Sequence, residues 1–108
     1  DLGEKLKTGA MSVESGGHYA DPFFAFMLVY NAIRGKYEVP ADGFYEMIFP
    51  YMFVSSPEEY EAYAQYFTGE ELPYYPDEIR AMAELSFEEL NEINKKLSVA
   101  EVVERHAK

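Results

Sequence analysis

Residues 21–35 read DPFFAFMLVYNAIRG, and this stretch indicates the central element of the fold. The pair Asp21-Pro22 predicts a helix start, because an aspartate can accept the first free N–H groups and a proline at the first helical position loses no hydrogen bond. Gly35 predicts the helix end, since glycine readily adopts the left-handed conformation found there. We therefore expect a helix over about residues 22–34.

Apolar side chains occupy almost every face of this predicted helix. One face holds the i, i+3, i+4, i+7 set Phe23, Phe26, Met27, Tyr30 and Ile33. The remaining faces hold Phe24, Leu28 and Val29. A helix that is apolar on all sides is typical of the centre of a domain, so we expect burial nearly all round.

Serine-led capping motifs predict further helices. In each motif a serine precedes a glutamate by three residues, as in Ser56–Glu59, Ser86–Glu89 and Ser98–Glu101. The serine can accept the N–H of that glutamate, whose carboxylate can reach back to the N–H of the serine. Pro76, followed by two acids, predicts one more helix start, and Gly69 closes the first helix. The predicted helices are residues 57–67, 77–85, 87–97 and 99–107.

Two other segments carry weaker signals. The spacing of Phe44, Met47 and Ile48 predicts a short helix over residues 41–49, which Pro50 then interrupts. Residues 36–39 alternate briefly and are expected to be extended.

Together these elements predict an all-α fold. We expect a compact single domain, residues 1–108, with five or six short helices packed around the buried central helix. Residues 12–20 are expected to be a loop. Because the chain begins at Asp1 and Met11 could be the native start, residues 1–20 are interpreted either as native chain or as an expression remnant followed by that loop.

The negative charge of the chain is concentrated in one stretch. Residues 55–94 carry eleven carboxylates and one base, Arg80, a net charge of −10. Residues 1–54 contribute −3 and residues 95–108 contribute +2, which together give the formal −11. Such a field repels nucleic acid and anionic membranes and attracts basic surfaces, so we expect neither direct nucleic-acid binding nor membrane binding.

No motif for catalysis, metal binding or cofactor binding is present. The chain has no cysteine, which excludes disulfides and thiolate metal sites and fits a reducing cytoplasm. Its histidines are His18, in a glycine-rich stretch, and His106, and neither has a Glu-x-x-His partner. The longest apolar run, Phe23 to Tyr30, is far shorter than the roughly 20 residues of a membrane helix. We predict a non-enzymatic protein without metal or cofactor.

Exposed tyrosines among carboxylates suggest a binding site for another protein. Pro73 and Pro76 fix the backbone around Tyr74 and Tyr75, which predicts two adjacent rings beside a groove along helix 57–67, against helix 77–85. The partner-binding residues predicted for this groove are Tyr63, Tyr66, Tyr74, Tyr75, Glu58, Glu59, Glu61, Glu70, Glu71, Asp77 and Glu78. We expect an adaptor or assembly-chaperone type of protein that binds a basic or apolar partner surface, with self-association left open.

Other interpretations of the same residues stay open. The acids of the predicted groove, Glu58 to Glu78, could imitate the phosphates of nucleic acid and occupy a basic DNA- or RNA-binding surface. They could also serve solubility alone, since helix capping already accounts for Glu59, Glu89 and Glu101. The rings of Tyr74 and Tyr75 could cover the core from a rigid connector between helices.

Overall fold

The computed structural model of the protein describes residues 1–16, 21–38 and 40–108, without the side chain of Asp21. Four expectations therefore lie at least partly outside the described residues. They are the loop over residues 17–20, the position of His18, the side-chain cap by Asp21, and the end of the extended segment at Val39.

The described chain is mostly helical, which confirms the predicted fold class. Its helices are α1 (Leu2–Lys7), α2 (Asp21–Ile33), α3 (Pro57–Tyr63), α4 (Pro76–Met82), α5 (Phe87–Lys96) and α6 (Val99–His106). A π-helical turn, Ala64–Thr68, continues α3. Two three-residue strands, β1 (Glu14–Gly16) and β2 (Met52–Val54), form an antiparallel pair.

Side-chain caps define where the later helices begin. The hydroxyls of Ser56, Ser86 and Ser98 each accept the N–H of the glutamate three residues on, at 3.1–3.2 Å. At Ser86 the box is complete, because the carboxylate of Glu89 accepts the serine N–H at 2.9 Å. The predicted helix starts are confirmed to within one residue, although the ends fall one to three residues earlier or, for α3, in the π-helical turn.

The N-terminal residues belong to the folded body. Leu6 of α1 is buried, and Gly3 lies so close to α3 that an added Cβ would come within 2.7 Å of the Tyr60 ring. The expectation of a loop over residues 12–20 is wrong at Glu14–Gly16, which pair with Met52–Val54.

The expected helix over residues 41–49 is absent, and this prediction is wrong. After a turn closed by the N–H of Gly43 bonded to the carbonyl of Pro40 at 2.8 Å, the chain runs without helical structure to β2. Side chains alternate along it: Tyr45, Met47 and Phe49 are half-buried while their neighbours at 44, 46 and 48 are exposed. The helical spacing of Phe44, Met47 and Ile48 therefore lies in a segment whose burial alternates with a period of two residues, as in extended backbone.

Helix α2 is buried on one side only, so the expectation of burial nearly all round is wrong. Its inner stripe contains Phe24, Met27 and Asn31, which are at most 2 % exposed. Its outer stripe is exposed: Phe26 63 %, Val29 56 %, Tyr30 43 % and Ile33 82 %. The two stripes are offset by two residues, or about 200° around a helix, and so lie on opposite faces.

The shape of the molecule explains this one-sided burial. Its principal extents are 51 × 31 × 18 Å and its radius of gyration is 15.9 Å. A compact domain of this length has a radius of gyration of about 13 Å. A body only 18 Å thick has little room to cover a helix on both sides.

Two buried asparagines connect the core to neighbouring segments. The amide of Asn31 donates to the Tyr37 hydroxyl at 3.0 Å, and that hydroxyl donates to the carbonyl of Leu85. The amide of Asn94 on α5 donates to the carbonyl of Ile48 at 2.8 Å and fixes the extended segment to the core. Among the helices of the described chain, none has both the length and the apolar character needed to cross a bilayer.

Candidate functional site

The tyrosine pair of the predicted groove is split between core and surface. Tyr74 is only 4 % exposed: its ring stacks on Phe23 at 5.2 Å and packs edge-on against Phe24. Burial raises the pKa of its hydroxyl. Tyr75 is exposed and lies 4.3 Å from the His106 ring, centroid to centroid. The ring of Tyr74 is therefore not accessible to a partner in this structure.

Arg105 of α6 occupies the centre of the predicted groove region. Its guanidinium lies 4.5 Å from the Tyr74 ring centroid and donates to Glu78, Glu101 and the Pro73 carbonyl at 2.6–2.7 Å. The other carboxylate oxygen of Glu78 accepts the N–H of Tyr75 at 2.6 Å. Glu78 thus has its charge balanced inside the molecule.

The other residues predicted for the groove are divided between internal contacts and the surface. Three acids form ion pairs or hydrogen bonds: Glu61 with Lys7, Glu71 with Gln65, and Asp77 with Arg80. Glu59 accepts the N–H of Ser55, which lowers the pKa of Glu59. The rings of Tyr63 and Tyr66 pack on Phe67 and His106. Within the described chain, the carboxylates of Glu58 and Glu70 have no hydrogen bond or ion pair. A binding role for this set stays a prediction.

A cavity of about 280 Å³ lies between α4, α5 and α6, and Tyr74 and Glu78 form part of its wall. The rest of the wall is mainly apolar, with Met82, Leu85 and Ile93. Arg105 donates to both carboxylates of this wall, Glu78 and Glu101, and Lys96 also lines the cavity. The two positive and two negative charges cancel, so the cavity offers a partner no uncompensated negative charge.

A second cleft, of about 260 Å³, combines exposed carboxylates with aromatic walls. It is lined by Lys36, Tyr37, Glu38, Tyr45, Ser86, Phe87 and Glu88. The Tyr45 ring centroid lies 4.9 Å from that of Phe87 and 6.0 Å from that of Tyr37. We refer to this set of residues as the aromatic cleft.

The local sequence explains how the three rings meet. Gly35, with φ of +75°, ends α2 and turns the chain so that Tyr37 returns to bond Asn31 on the last turn of that helix. Ser86 caps α5 and places Phe87 at its first turn. Tyr45 comes from the extended segment, where its hydroxyl donates to the carbonyl of Glu38.

The carboxylates of the aromatic cleft are not paired with the cation in its wall. Lys36 lines the cleft, but its ammonium pairs with Glu84, a residue outside the cleft that also accepts Arg34 at 3.1 Å. These two cations lower the pKa of Glu84. Within the described chain, the carboxylates of Glu38 and Glu88 have neither a hydrogen bond nor an ion pair. Desolvation and then the nearby negative charge of Glu38 raise the pKa of Tyr45.

An exposed apolar strip continues from the cleft along the same segment. Its members, which we name the 44–53 strip, are Phe44, Ile48, Tyr51 and Phe53, each between 63 and 73 % exposed. Asp42 and Glu46 lie within or beside it and are exposed without a partner in the described chain. Exposed apolar side chains often mark a binding site where they lie next to one another.

Sequence reasoning missed both the cleft and the strip. The strip had no clear sequence signal, because residues 44–49 are apolar at every position except Glu46 and the alternation appears only in their burial. The cleft had no local signal, because Tyr37, Tyr45 and Phe87 come from three separate segments.

The residues of the cleft have the chemistry to bind a cation. An ammonium or guanidinium group gains from the faces of aromatic rings and from nearby carboxylates. No nucleophile–base pair lines it, and no group of three histidines, aspartates or glutamates in the described chain is arranged to hold a metal ion.

Comparisons with protein-family models, curated proteins and solved structures found no match.

Proposed function

We propose that this protein is a non-enzymatic protein-binding module of the adaptor or assembly-chaperone type. It binds a partner segment that carries both basic and apolar side chains. The partner inserts a lysine or arginine side chain into the aromatic cleft and lays apolar side chains along the 44–53 strip.

The observation that carries this proposal is the combination of aromatic walls and unpaired carboxylates in one cleft. The half-buried rings of Tyr45 and Phe87 line the cleft together with the buried Tyr37, while the carboxylates of Glu38 and Glu88 lack an internal cation. A cation over an aromatic face gains about 0.5–2 kcal/mol. The carboxylates add orientation and speed of encounter more than affinity.

Nucleic-acid imitation receives less support. Of the seven acids predicted for it, five have internal partners: Glu59, Glu61, Glu71, Asp77 and Glu78. Only two of the seven, Glu58 and Glu70, are left without such contacts in the described chain. Imitation of phosphates needs a run of available charges, so this function stays a prediction of lower rank. A cytoplasmic location fits the absence of cysteine and also stays a prediction.

Calorimetric titration with two synthetic peptides tests the proposal. The probe is an acetylated hexapeptide of alternating leucine and lysine, and its control has glutamate in place of lysine. We expect heat of binding with the lysine peptide alone. The double variant Glu38→Gln/Glu88→Gln should weaken binding about tenfold, because two exposed charge contacts of up to roughly 1 kcal/mol each are lost.

The matched control is Glu58→Gln/Glu70→Gln, which removes the same charge from two unpaired carboxylates elsewhere. It should change the affinity less than twofold. Phe87→Leu keeps an apolar side chain but removes the ring face and should cost a further several-fold. Equal effects of the two double variants, or binding of the glutamate peptide, would exclude the aromatic cleft as the site.

A further inference from the structure

The outer face of α2 is a second apolar surface that the proposed partner contact does not use. Phe26, Val29, Tyr30 and Ile33 repeat at i, i+3, i+4 and i+7 and form one continuous stripe along the helix. The Phe26 and Tyr30 rings stack with centroids 6.0 Å apart. At the end of the stripe, the Arg34 guanidinium lies 5.2 Å from the Tyr30 ring centroid.

The stripe is large enough to matter energetically. Aromatic side chains bury about 150–250 Å² and aliphatic ones roughly 60–120 Å², so the exposed fractions of these four side chains correspond to roughly 350 Å². Two such stripes meeting would bury about 700 Å², before their exposed neighbours Pro22, Ala25 and Arg34 are counted. With those neighbours, the contact approaches the roughly 1,000 Å² of a specific interface.

The charge pattern indicates which occupant fits this face. Residues 22–33 contain no charged side chain, in a protein whose net charge is −11. Interfaces between identical subunits are more apolar and poorer in charge than contacts between separate partners. A different protein attracted to this acidic chain would find no carboxylate on the stripe to bind. Two copies, by contrast, can meet there without bringing carboxylates into contact.

We propose that the protein forms a two-fold symmetric dimer in which the outer stripe of α2 packs antiparallel against the same stripe of a second copy. The helix has 13 residues and is about 20 Å long, and the stripe from Phe26 to Ile33 covers about 10 Å of it, roughly one heptad of contacts along the pair. The antiparallel arrangement also sets each helix dipole against the other in the favourable sense. Each copy gains the second layer that its 18 Å thickness lacks.

Sedimentation velocity over a range of protein concentrations up to about 1 mM tests this dimer. We expect a dimer that dissociates on dilution. Ile33→Glu places a carboxylate at the most exposed side chain of the stripe and should raise the dimer dissociation constant by more than tenfold. The control Leu72→Glu adds the same charge at another exposed apolar residue, and its dimer should stay within threefold of the parent.

Salt separates this inference from the proposed function. Added salt screens the repulsion between two acidic bodies, so the dimer should strengthen, whereas binding of the lysine peptide to the cleft should weaken. The Ile33→Glu variant, as a monomer, should still bind the peptide. A protein that is monomeric at every concentration, or equal dissociation by both glutamate variants, would overturn the dimer while leaving the cleft intact.

Discussion

The region around Arg105 and the aromatic cleft contain the same kinds of residue, and they differ in their supply of cations. In the first region Arg105 binds both Glu78 and Glu101 beneath the Tyr74 ring. In the second, Lys36 is paired with Glu84 outside the cleft, and the cleft carboxylates stay unpaired.

This comparison shows why composition alone does not locate a binding site. Tyrosines among glutamates were predicted as a surface because that stretch of sequence has almost no bases. The base that balances them, Arg105, comes from the last helix and is absent from the local sequence. A carboxylate whose charge is balanced by an internal guanidinium supports the fold, whereas an unpaired one can contribute to recognition.

Replacement of Arg105 by alanine should have the largest effect on this comparison. Arg105→Ala leaves Glu78 and Glu101 partly buried without a cation and removes the group packed over Tyr74. We expect the free energy of unfolding, measured with urea, to fall by about 2–3 kcal/mol.

Arg80→Ala is the control, because Arg80 forms an exposed pair with Asp77. Its loss should cost less than about 0.5 kcal/mol. A similar cost for both arginines would mean that Arg105 does not act as the internal cation of this region.

Replacement of Gly69 should have the next largest effect. An alanine Cβ there would lie 2.6 Å from the carbonyl oxygen of Ala64 and 2.8 Å from that of Gln65, both main-chain atoms that cannot move away separately. Gly69→Ala should therefore cost about 1–3 kcal/mol in thermal or urea unfolding.

The same substitution at Gly16, where an added Cβ meets no atom of the described residues within 4 Å, is the control and should change stability by less than about 1 kcal/mol. Because the π-helical turn before Gly69 carries Tyr66 to His106, the alanine variant should also loosen this contact. Unchanged stability would show that the turn closes without a glycine.

Much of the fold could be predicted from local chemistry, and much of the site could not. Serine caps and N-terminal prolines act within one helical turn, so the starts of α3 to α6 were correctly predicted. The burial of α2 was overestimated, because the number of layers around a helix is a tertiary property. The segment over residues 41–49 was predicted as a helix from the spacing of apolar residues 44, 47 and 48. Its burial instead alternates with the period of a strand, and three residues are too few to decide between the two periods.

The aromatic cleft depends on a pairing that sequence does not reveal. Whether Glu38 and Glu88 are unpaired is decided by the position of Lys36, and Lys36 pairs with a residue 48 positions later in the chain. A lysine two residues from Glu38 would ordinarily be expected to balance it. The contact with Glu84 is therefore what makes the cleft a candidate site.

The Glu84 contact gives the smallest predicted effect on stability. Hydrogen bonds from Lys36 and Arg34 lower the folded-state pKa of Glu84 below its ordinary value of 4.5. A carboxylate with a lowered folded-state pKa stabilises the protein above its unfolded-state value, and that contribution is lost as pH falls through the folded-state value. In Glu84→Gln the loss of stability below pH 4.5 should accordingly be shallower than in the parent.

The same variant also tests why the carboxylates of the cleft are not paired with Lys36. With Glu84 neutral, Lys36 is free to pair with Glu38 two residues away, and binding of the lysine peptide should weaken. Adding Lys36→Met in this background should restore peptide binding, because residue 36 can then no longer pair with Glu38. If Glu84→Gln left the peptide affinity unaltered, the cleft carboxylates would owe their availability to distance alone and not to the competition for Lys36.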